Sequence, residues 1–409
     1  MALTTFAFFY LWYGRPEYDG KWLHWNHSIL PHWTESVRAE WASTAGVSYL
    51  PPQDLHSSYY PLRGPYSSKD TNNLMTQMYE MKEYSIDAII VSWWGRPDGS
   101  SGGDSQGVNT DSAIASVLET AYTTNIKVAL HLEPYVGRSV ESIRLDLEYL
   151  HKKYGKHPAL ARSKRAGDDK ELPMMFVYDS YHISSREWSL LLSTPSEENI
   201  MLGIRGEACD AFFVGLWLNN NDGNDLAKGG FDGSYSYFAT DGFSWGSTLS
   251  NWQHMAKFMY DRKMAFFPSV APGYDDRKIR PWNAAATRDR ANGYYYKKGW
   301  SAAIDAGVDF VTITSYNEWG EGTQIEPALP YRIELDVLEP RGECLNKTTR
   351  GALRLSETGD YLNYGINREP HYYLEITREQ VKILKEKRPW TYKAEMLPGT
   401  EEYMKKDEL

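Results

Sequence analysis

Phe310-Val311-Thr312-Ile313-Thr314-Ser315-Tyr316-Asn317-Glu318 begins as a run of β-branched and aromatic residues and ends on an amide and a carboxylate. A near-continuous apolar run of this length reads as a strand buried on both faces, as in a parallel sheet covered by helices. Seven similar runs precede it: Phe6–Tyr13, Ala88–Trp94, Lys127–Glu133, Met174–Asp179, Phe212–Trp217, Ser234–Phe238 and Ala265–Val270. Helical patterns stand between many of them. Leu74, Met78 and Met81 share one face; Val140, Ile143, Leu147, Leu150 and Tyr154 share another, with Gly155 where a left-handed glycine would close the helix. Eight strands alternating with helices predict a single (β/α)8 TIM barrel with long loops at its C-terminal face. An open doubly wound sheet is the other arrangement the alternation allows. The strand ends favour the barrel. Tyr13, Trp93, Trp94, Glu133, Tyr178, Asp179, Trp217, Tyr237 and Glu318 supply aromatic and acidic groups where barrel enzymes place their sites.

No composition shift marks a second domain, so residues 1–390 are expected to form one catalytic unit and 391–409 a tail. Gly95–Gly107 is rich in Gly and Ser and reads as a long loop over the barrel mouth. About 50 residues separate Glu321 from the last clear helical pattern, near Arg378–Lys387, and are expected to wall the site.

The charge is 44 − 54 = −10, which argues against nucleic acid or an anionic membrane as partner. No run of 18 apolar residues predicts a membrane span. Fifteen Trp and thirty Tyr exceed what a core needs. Such rings suit a carbohydrate cleft, because sugar C–H faces pack flat on them while hydroxyls bond their polar edges. Cys209 and Cys344 permit one disulfide at most and exclude a disulfide scaffold or a multi-cysteine zinc site. His24, His27 and His32 lie close in sequence, but no zinc helix motif accompanies them. Gly99–Gly103 lacks the Lys-Ser/Thr ending of a phosphate loop. Neither a metal nor a cofactor is expected.

Glu318 and Glu321 stand together at the end of the last strand. Glycoside hydrolysis needs two such groups, one to protonate the leaving oxygen and one to assist at the anomeric side. Positions three apart on an extended strand lie roughly 10 Å from each other and face opposite ways. The chain is therefore expected to curl at Trp319-Gly320, with Gly320 supplying a positive φ. Alone, the pair reads more readily as a barrel-mouth salt-bridge partner and a solvated loop residue.

The longer string Ser315-Tyr316-Asn317-Glu318-Trp319-Gly320-Glu321-Gly322-Thr323-Gln324-Ile325-Glu326 resembles that of the endo-α-mannosidases of glycoside hydrolase family 99, which carry His where this chain has Gly320. Further matching segments follow in the family's order. They include Tyr10-Leu11-Trp12-Tyr13-Gly14, His24-Trp25-Asn26-His27, Tyr66-Ser67-Ser68, His131-Leu132-Glu133-Pro134-Tyr135, Val177-Tyr178-Asp179-Ser180-Tyr181, Tyr237-Phe238-Ala239-Thr240 and Arg280-Pro281-Trp282-Asn283. The resemblance implies the same barrel and a retaining, endo-acting hydrolysis of α-1,2-mannosidic bonds in mannose-containing oligosaccharides. It makes Glu321 the acid/base and Glu318 a base on the 2-hydroxyl of the mannose at the cleaved bond, through a 1,2-anhydro sugar. It implies that Asn317, Tyr237, Arg280 and Glu133 hold sugar hydroxyls and that Trp94, Trp12 and Tyr13 offer stacking faces. Tyr10, Tyr178 and Asp179, in its matched segments, join them as substrate-binding candidates. Members acting on α-mannans tend to carry Trp at the position of Trp94, and those acting on glucosylated glycans Tyr. The other function class compatible with these features is an inactive barrel lectin.

Lys406-Asp407-Glu408-Leu409 matches the retrieval signal of the endoplasmic reticulum lumen, so a retrieval receptor is an expected partner and the secretory pathway the expected location. Sequons at Asn26 and Asn346 agree. Phe6–Tyr13 lacks a basic n-region and a cleavage site, so the expectation is that a natural leader is missing.

Overall fold

The computed structural model describes residues 3–97, 103–329 and 369–387. Ten strands form one sheet: β1 (Thr5–Phe9), β2 (Ala88–Trp93), β3 (Lys127–Leu132), β4 (Arg162–Ser163), β5 (Leu172–Val177), β6 (Phe212–Leu216), β7 (Gly233–Tyr235), β8 (Ala265–Phe267), β9 (Ser269–Val270) and β10 (Val311–Ile313). Their order is β8-β7-β6-β5-β3-β2-β1-β10-β9, with β4 appended antiparallel to β5. The main path is parallel throughout. Its two ends, β8 and β9, are separated only by Pro268. Proline has no N–H to give the ladder, yet its carbonyl accepts from Thr312 N at 3.0 Å. The path therefore returns to the run it started from. That closure makes the sheet a barrel and excludes the open doubly wound alternative.

All eight expected runs form strands, but most pair over a shorter span. Phe310–Glu318 pairs as a strand only over Val311–Ile313; beyond it Thr314 N and Tyr316 N still reach the Val270 and Phe8 carbonyls, each at 2.9 Å, while Ser315 N turns to Thr323 in its own loop.

The barrel is filled by rings. Phe6, Phe8 and Tyr10 alternate along the first strand and its extension, as side chains on one face must. Phe6 lies 5.8 Å from Phe267, 6.2 Å from Phe310 and 6.3 Å from Phe176, between ring centroids. One layer up, Phe8 packs 5.0 Å from His131, 5.7 Å from Tyr235 and, edge to face, 4.9 Å from Tyr237. In the top layer the hydroxyls of Tyr10 and Tyr237 bond each other. The filling changes from bare rings to hydroxyl and imidazole groups toward the mouth.

The helices bury the faces their patterns predict. Thr71–Glu83 is capped by Asp70, whose carboxylate accepts from Asn72 N at 3.0 Å, and it buries Leu74, Met78 and Met81. Val140–Tyr154 opens on a reciprocal Ser139–Ser142 cap and buries Val140, Ile143, Leu147, Leu150 and Tyr154. Gly155 corrects one expectation. Its φ is −57°, so no left-handed turn closes this helix. The glycine answers to space instead, since a Cβ there would stand 2.5 Å from the His151 carbonyl oxygen. The last helix runs Tyr372–Glu386 and so begins before Arg378. Most of the expected wall after Glu321 (residues 330–368), the centre of the Gly/Ser loop, Cys344, Asn346 and the tail lie outside the described residues. No described helix is long and apolar enough to cross a membrane.

Phe6 touches three rings of the lowest layer and has no exposed surface. Phe6→Ala should destabilise the fold by about 3–5 kcal/mol, read as a lower midpoint in chemical denaturation. A change under about 1 kcal/mol would show that the layer closes over the gap.

Candidate active site

The chain from Thr314 to Glu326 doubles back above β10. Ser315 N bonds the Thr323 carbonyl at 2.9 Å, Ile325 N the Ser315 carbonyl at 3.0 Å, and Glu326 N the Tyr316 carbonyl at 2.8 Å. The Ser315 hydroxyl meets Thr323 Oγ1 at 2.9 Å and accepts from Glu318 N at 2.7 Å. This compact loop carries both candidate carboxylates. The expected curl is present, but Gly320 does not supply it with a positive φ. That conformation falls to Gly322, at φ 62°.

Glu326 anchors the loop from below. It is 1% exposed. Its carboxylate accepts from Gln77 Nε2 at 2.7 Å, Tyr66 Oη at 2.7 Å, Trp319 Nε1 at 2.9 Å and Arg63 at 3.2 Å. Burial pushes its carboxyl up, and Arg63 opposes that. Neither Glu326 nor Tyr66 is among the site residues expected from the sequence, although both lie in segments that carry the resemblance. Their partners are distant along the chain, and a buried Glu in a polar string carries no pattern of its own.

Glu318 is buried, and its Oε1 accepts the backbone N–H of Gly320 at 3.0 Å. Loss of solvation and then the charge of Glu321 push its carboxyl well above the usual range. Glu321 is partly open and lies 3.3 Å from Arg280 Nη1. Burial raises its carboxyl too, while Arg280 pulls it back down. Burial thus biases both carboxyls toward their protonated forms. Arg280 is itself held by Asp276 at 3.2 Å, and Asp276 also accepts from Tyr274 Oη and Asn283 Nδ2, each at 2.9 Å.

Aromatic and polar groups line the opposite side. Tyr178 stands edge-on to Tyr237, 5.0 Å between centroids. Glu133 is buried 3.0 Å from His131 Nδ1, and His131 Nε2 pairs with the Tyr235 hydroxyl at 2.7 Å. Asp179 follows in the left-handed region at φ 47°. Trp94 is half-buried, and its indole N–H has no partner among the described residues. His24, His27 and His32 are bonded separately, to Asp104, the Ser28 carbonyl and Thr34 N.

Three expected sugar contacts are placed differently. Asn317 has no exposed surface. Its Oδ1 accepts from Tyr10 N at 2.7 Å, and its Nδ2 donates to the Tyr10 carbonyl at 3.0 Å. Tyr13 is buried, with its hydroxyl between the Asn317 carbonyl at 2.9 Å and Trp319 N at 3.0 Å. Trp12 is stacked on both Tyr10 (4.4 Å) and His24 (4.6 Å). Asn317 and Tyr13 hold the loop, and Trp12 has little free face to offer a sugar. A cavity of about 190 Å³ beside Tyr13, between Asp19–Leu23 and Gln106–Ala113, touches neither carboxylate.

The sign of the Arg280 effect can be tested. A nearby cation favours the ionised acid, so removing it should raise the Glu321 pKa further. Arg280→Gln should move the basic limb of the kcat/KM–pH profile upward, because the acid keeps its proton to higher pH. An unmoved or lowered limb would separate Arg280 from the titration of Glu321.

The chain matches the model of glycosyl hydrolase family 99 over residues 2–339. It is 40% identical over 374 residues to the protein of Rattus norvegicus named glycoprotein endo-alpha-1,2-mannosidase, covering 91% of this chain and 73% of that one. It is 38% identical over 385 residues to a glycoprotein endo-alpha-1,2-mannosidase-like protein of Homo sapiens, covering 94% and 76%. The solved GH99 endo-alpha-mannosidase of Bacteroides thetaiotaomicron superposes with a TM-score of 0.78 at 32% identity, over 94% of this chain and 99% of that one. With the closed barrel and the paired carboxylates at its mouth, these matches establish that the chain belongs to glycosyl hydrolase family 99.

Proposed function

We propose that this chain is a retaining, endo-acting α-1,2-mannosidase that releases a Glc- or Man-α-1,3-Man unit from mannose-containing glycans. The observation that carries the reading is the doubled-back loop, which presents Glu318 and Glu321 together with an arginine beside Glu321. Both carboxylates are present, which disfavours an inactive lectin.

The chemistry asks each carboxyl for a different job. Glu321 protonates the leaving oxygen and then, as a carboxylate, takes the proton of the incoming water. Glu318 acts as base on the substrate's own 2-hydroxyl. In an α-mannoside that axial oxygen lies anti to the leaving group, so once deprotonated it displaces the group from behind. Water then opens the 1,2-anhydro sugar while Glu318 returns its proton to O2, and two inversions give net retention. The sequence starts with Glu321 protonated and Glu318 ionised. Tyr10, Tyr237, Tyr178, Glu133, Asp179 and Arg280 surround the sugar at the cleaved bond, and Trp94 faces the outer one, where its indole leans the preference toward mannose. The Lys406–Leu409 ending supports a place in the secretory lumen, with a retrieval receptor as partner.

Glu321→Gln should fold normally and still bind a mannan oligosaccharide, with turnover reduced by about 10²–10⁴ or more. Mass detection of released disaccharide is the readout, and near-normal release by the variant would remove Glu321 from the mechanism. The anhydro route also demands a free 2-hydroxyl. A 2-deoxy substrate with an activated leaving group should bind yet resist hydrolysis. Brisk turnover of it, or a sugar trapped covalently on Glu318, would restore ordinary double displacement.

A further inference from the structure

Gly320 sits between the two carboxylates, and its backbone does not require glycine, since its φ is not positive. The space around it does. A Cβ built there would stand 2.5 Å from Ile279 Cδ1 and 2.9 Å from both Cδ2 and Nε2 of His56. A side chain at 320 and His56 as placed cannot coexist. An imidazole from a segment more than 250 residues earlier in the chain therefore fills the gap beside the turn, where the family's string places one at 320 itself.

His56 is 2% exposed. Its backbone N–H donates to the Trp25 carbonyl at 3.2 Å, and its Nδ1 lies 3.4 Å from the same oxygen. With the proton on Nδ1 directed there, Nε2 keeps a lone pair. Among the described residues no hydrogen bond reaches Nε2, which, like Cδ2, lies 2.9 Å from where a Gly320 Cβ would stand. Burial, with His27 and His24 nearby, keeps the ring neutral. Ile279 bounds the same space, and the next residue, Arg280, pairs with Glu321.

We propose that His56 is a specificity residue of the leaving-group subsite, its Nε2 accepting a hydrogen bond from a hydroxyl of the sugar that Glu321 helps to expel. The proposal rests on the reading of Glu321 as the acid. A buried acceptor without a protein partner discriminates strongly between a ligand that supplies a donor and one that does not.

The test compares two substrates with the same departing glycosyl unit. One is an α-1,2-linked mannan oligosaccharide, whose leaving group is a sugar. The other is Man-α-1,3-mannosyl fluoride, whose leaving group has no hydroxyl. His56→Leu fills similar space without an acceptor. It should lower kcat/KM on the oligosaccharide about tenfold, the size of one hydrogen bond, and leave the fluoride within about twofold. His56→Gln, which keeps an acceptor oxygen, should fall between Leu and wild type in the ratio of the two rates, and it replaces Leu in the comparison if Leu does not fold. Equal loss on both substrates would assign His56 to support of the loop alone, and no loss on either would leave it outside the subsite. Either result overturns the proposal. Wild-type protein that cleaves neither substrate would instead overturn the functional reading beneath it.

Discussion

The amide of Asn317 does for this barrel what a further rung of ladder would do. Its oxygen takes the Tyr10 N–H and its nitrogen serves the Tyr10 carbonyl, so the end of β10 is tied to the end of β1 beyond the point where strand pairing stops. A buried backbone N–H and C=O left unpaired would each be costly, and one side chain satisfies both. The active loop hangs from this join. Glu318 is the next residue, Tyr13 reaches from the first strand's extension to brace Asn317 and Trp319, and the Tyr10 hydroxyl is carried into the mouth beside Tyr237. Losing the amide would loosen both walls of the site together.

A loop that holds two raised carboxyls needs a rigid underside, since small displacements change the repulsion between them. Glu326 provides it. A buried carboxylate with an arginine and three neutral donors is well satisfied, and breaking such a set strands several polar groups at once. Trp319 is the link between the anchor and the chemistry. Its indole N–H is fixed to Glu326 and its backbone N–H to Tyr13, while it stands directly between Glu318 and Gly320. Arg280 acts from the other side and touches only Glu321 of the pair. The two carboxyls thus sit in different fields although they belong to one loop.

How much of this was legible follows from where each residue's partner lies. The strands were readable because burial on both faces leaves its mark in consecutive residues, as in Ala88–Val91. Their ends were not, because Ser315 looks like a strand residue yet bonds Thr323 and Ile325, and the Tyr316 carbonyl turns to Ile325 and Glu326 although its N–H still meets Phe8. The identities of Glu318 and Glu321 came from the string they share with a family. The use of Asn317 could not be read locally, since an amide at a barrel mouth suits a sugar as well as it suits Tyr10, 307 positions away. Trp12 is similar. An indole after a strand suggests a stacking platform, yet Tyr10 and His24 already stack against it, and Asp104 locks His24 at 2.7 Å.

Glycine shows the same limit in its clearest form. From sequence, a glycine after a helix or inside a turn invites an explanation by φ, because that is the property glycine carries with it. Gly322 fits that account. Gly155 and Gly320 do not, for both are glycines because another group occupies the space a Cβ would need. The two cases differ in range. The neighbour that excludes a Cβ at 155 is His151, one turn earlier on the same helix, whereas at 320 the neighbours are Ile279 and His56, from other parts of the fold. A short-range exclusion only shapes a helix end. A long-range one couples two segments of the cleft, so that the residue at 320 cannot change without room being made at 56. The space beside Gly320, which stands between Glu318 and Glu321 in the chain, is therefore set by Ile279 and His56 together with the bare position at 320.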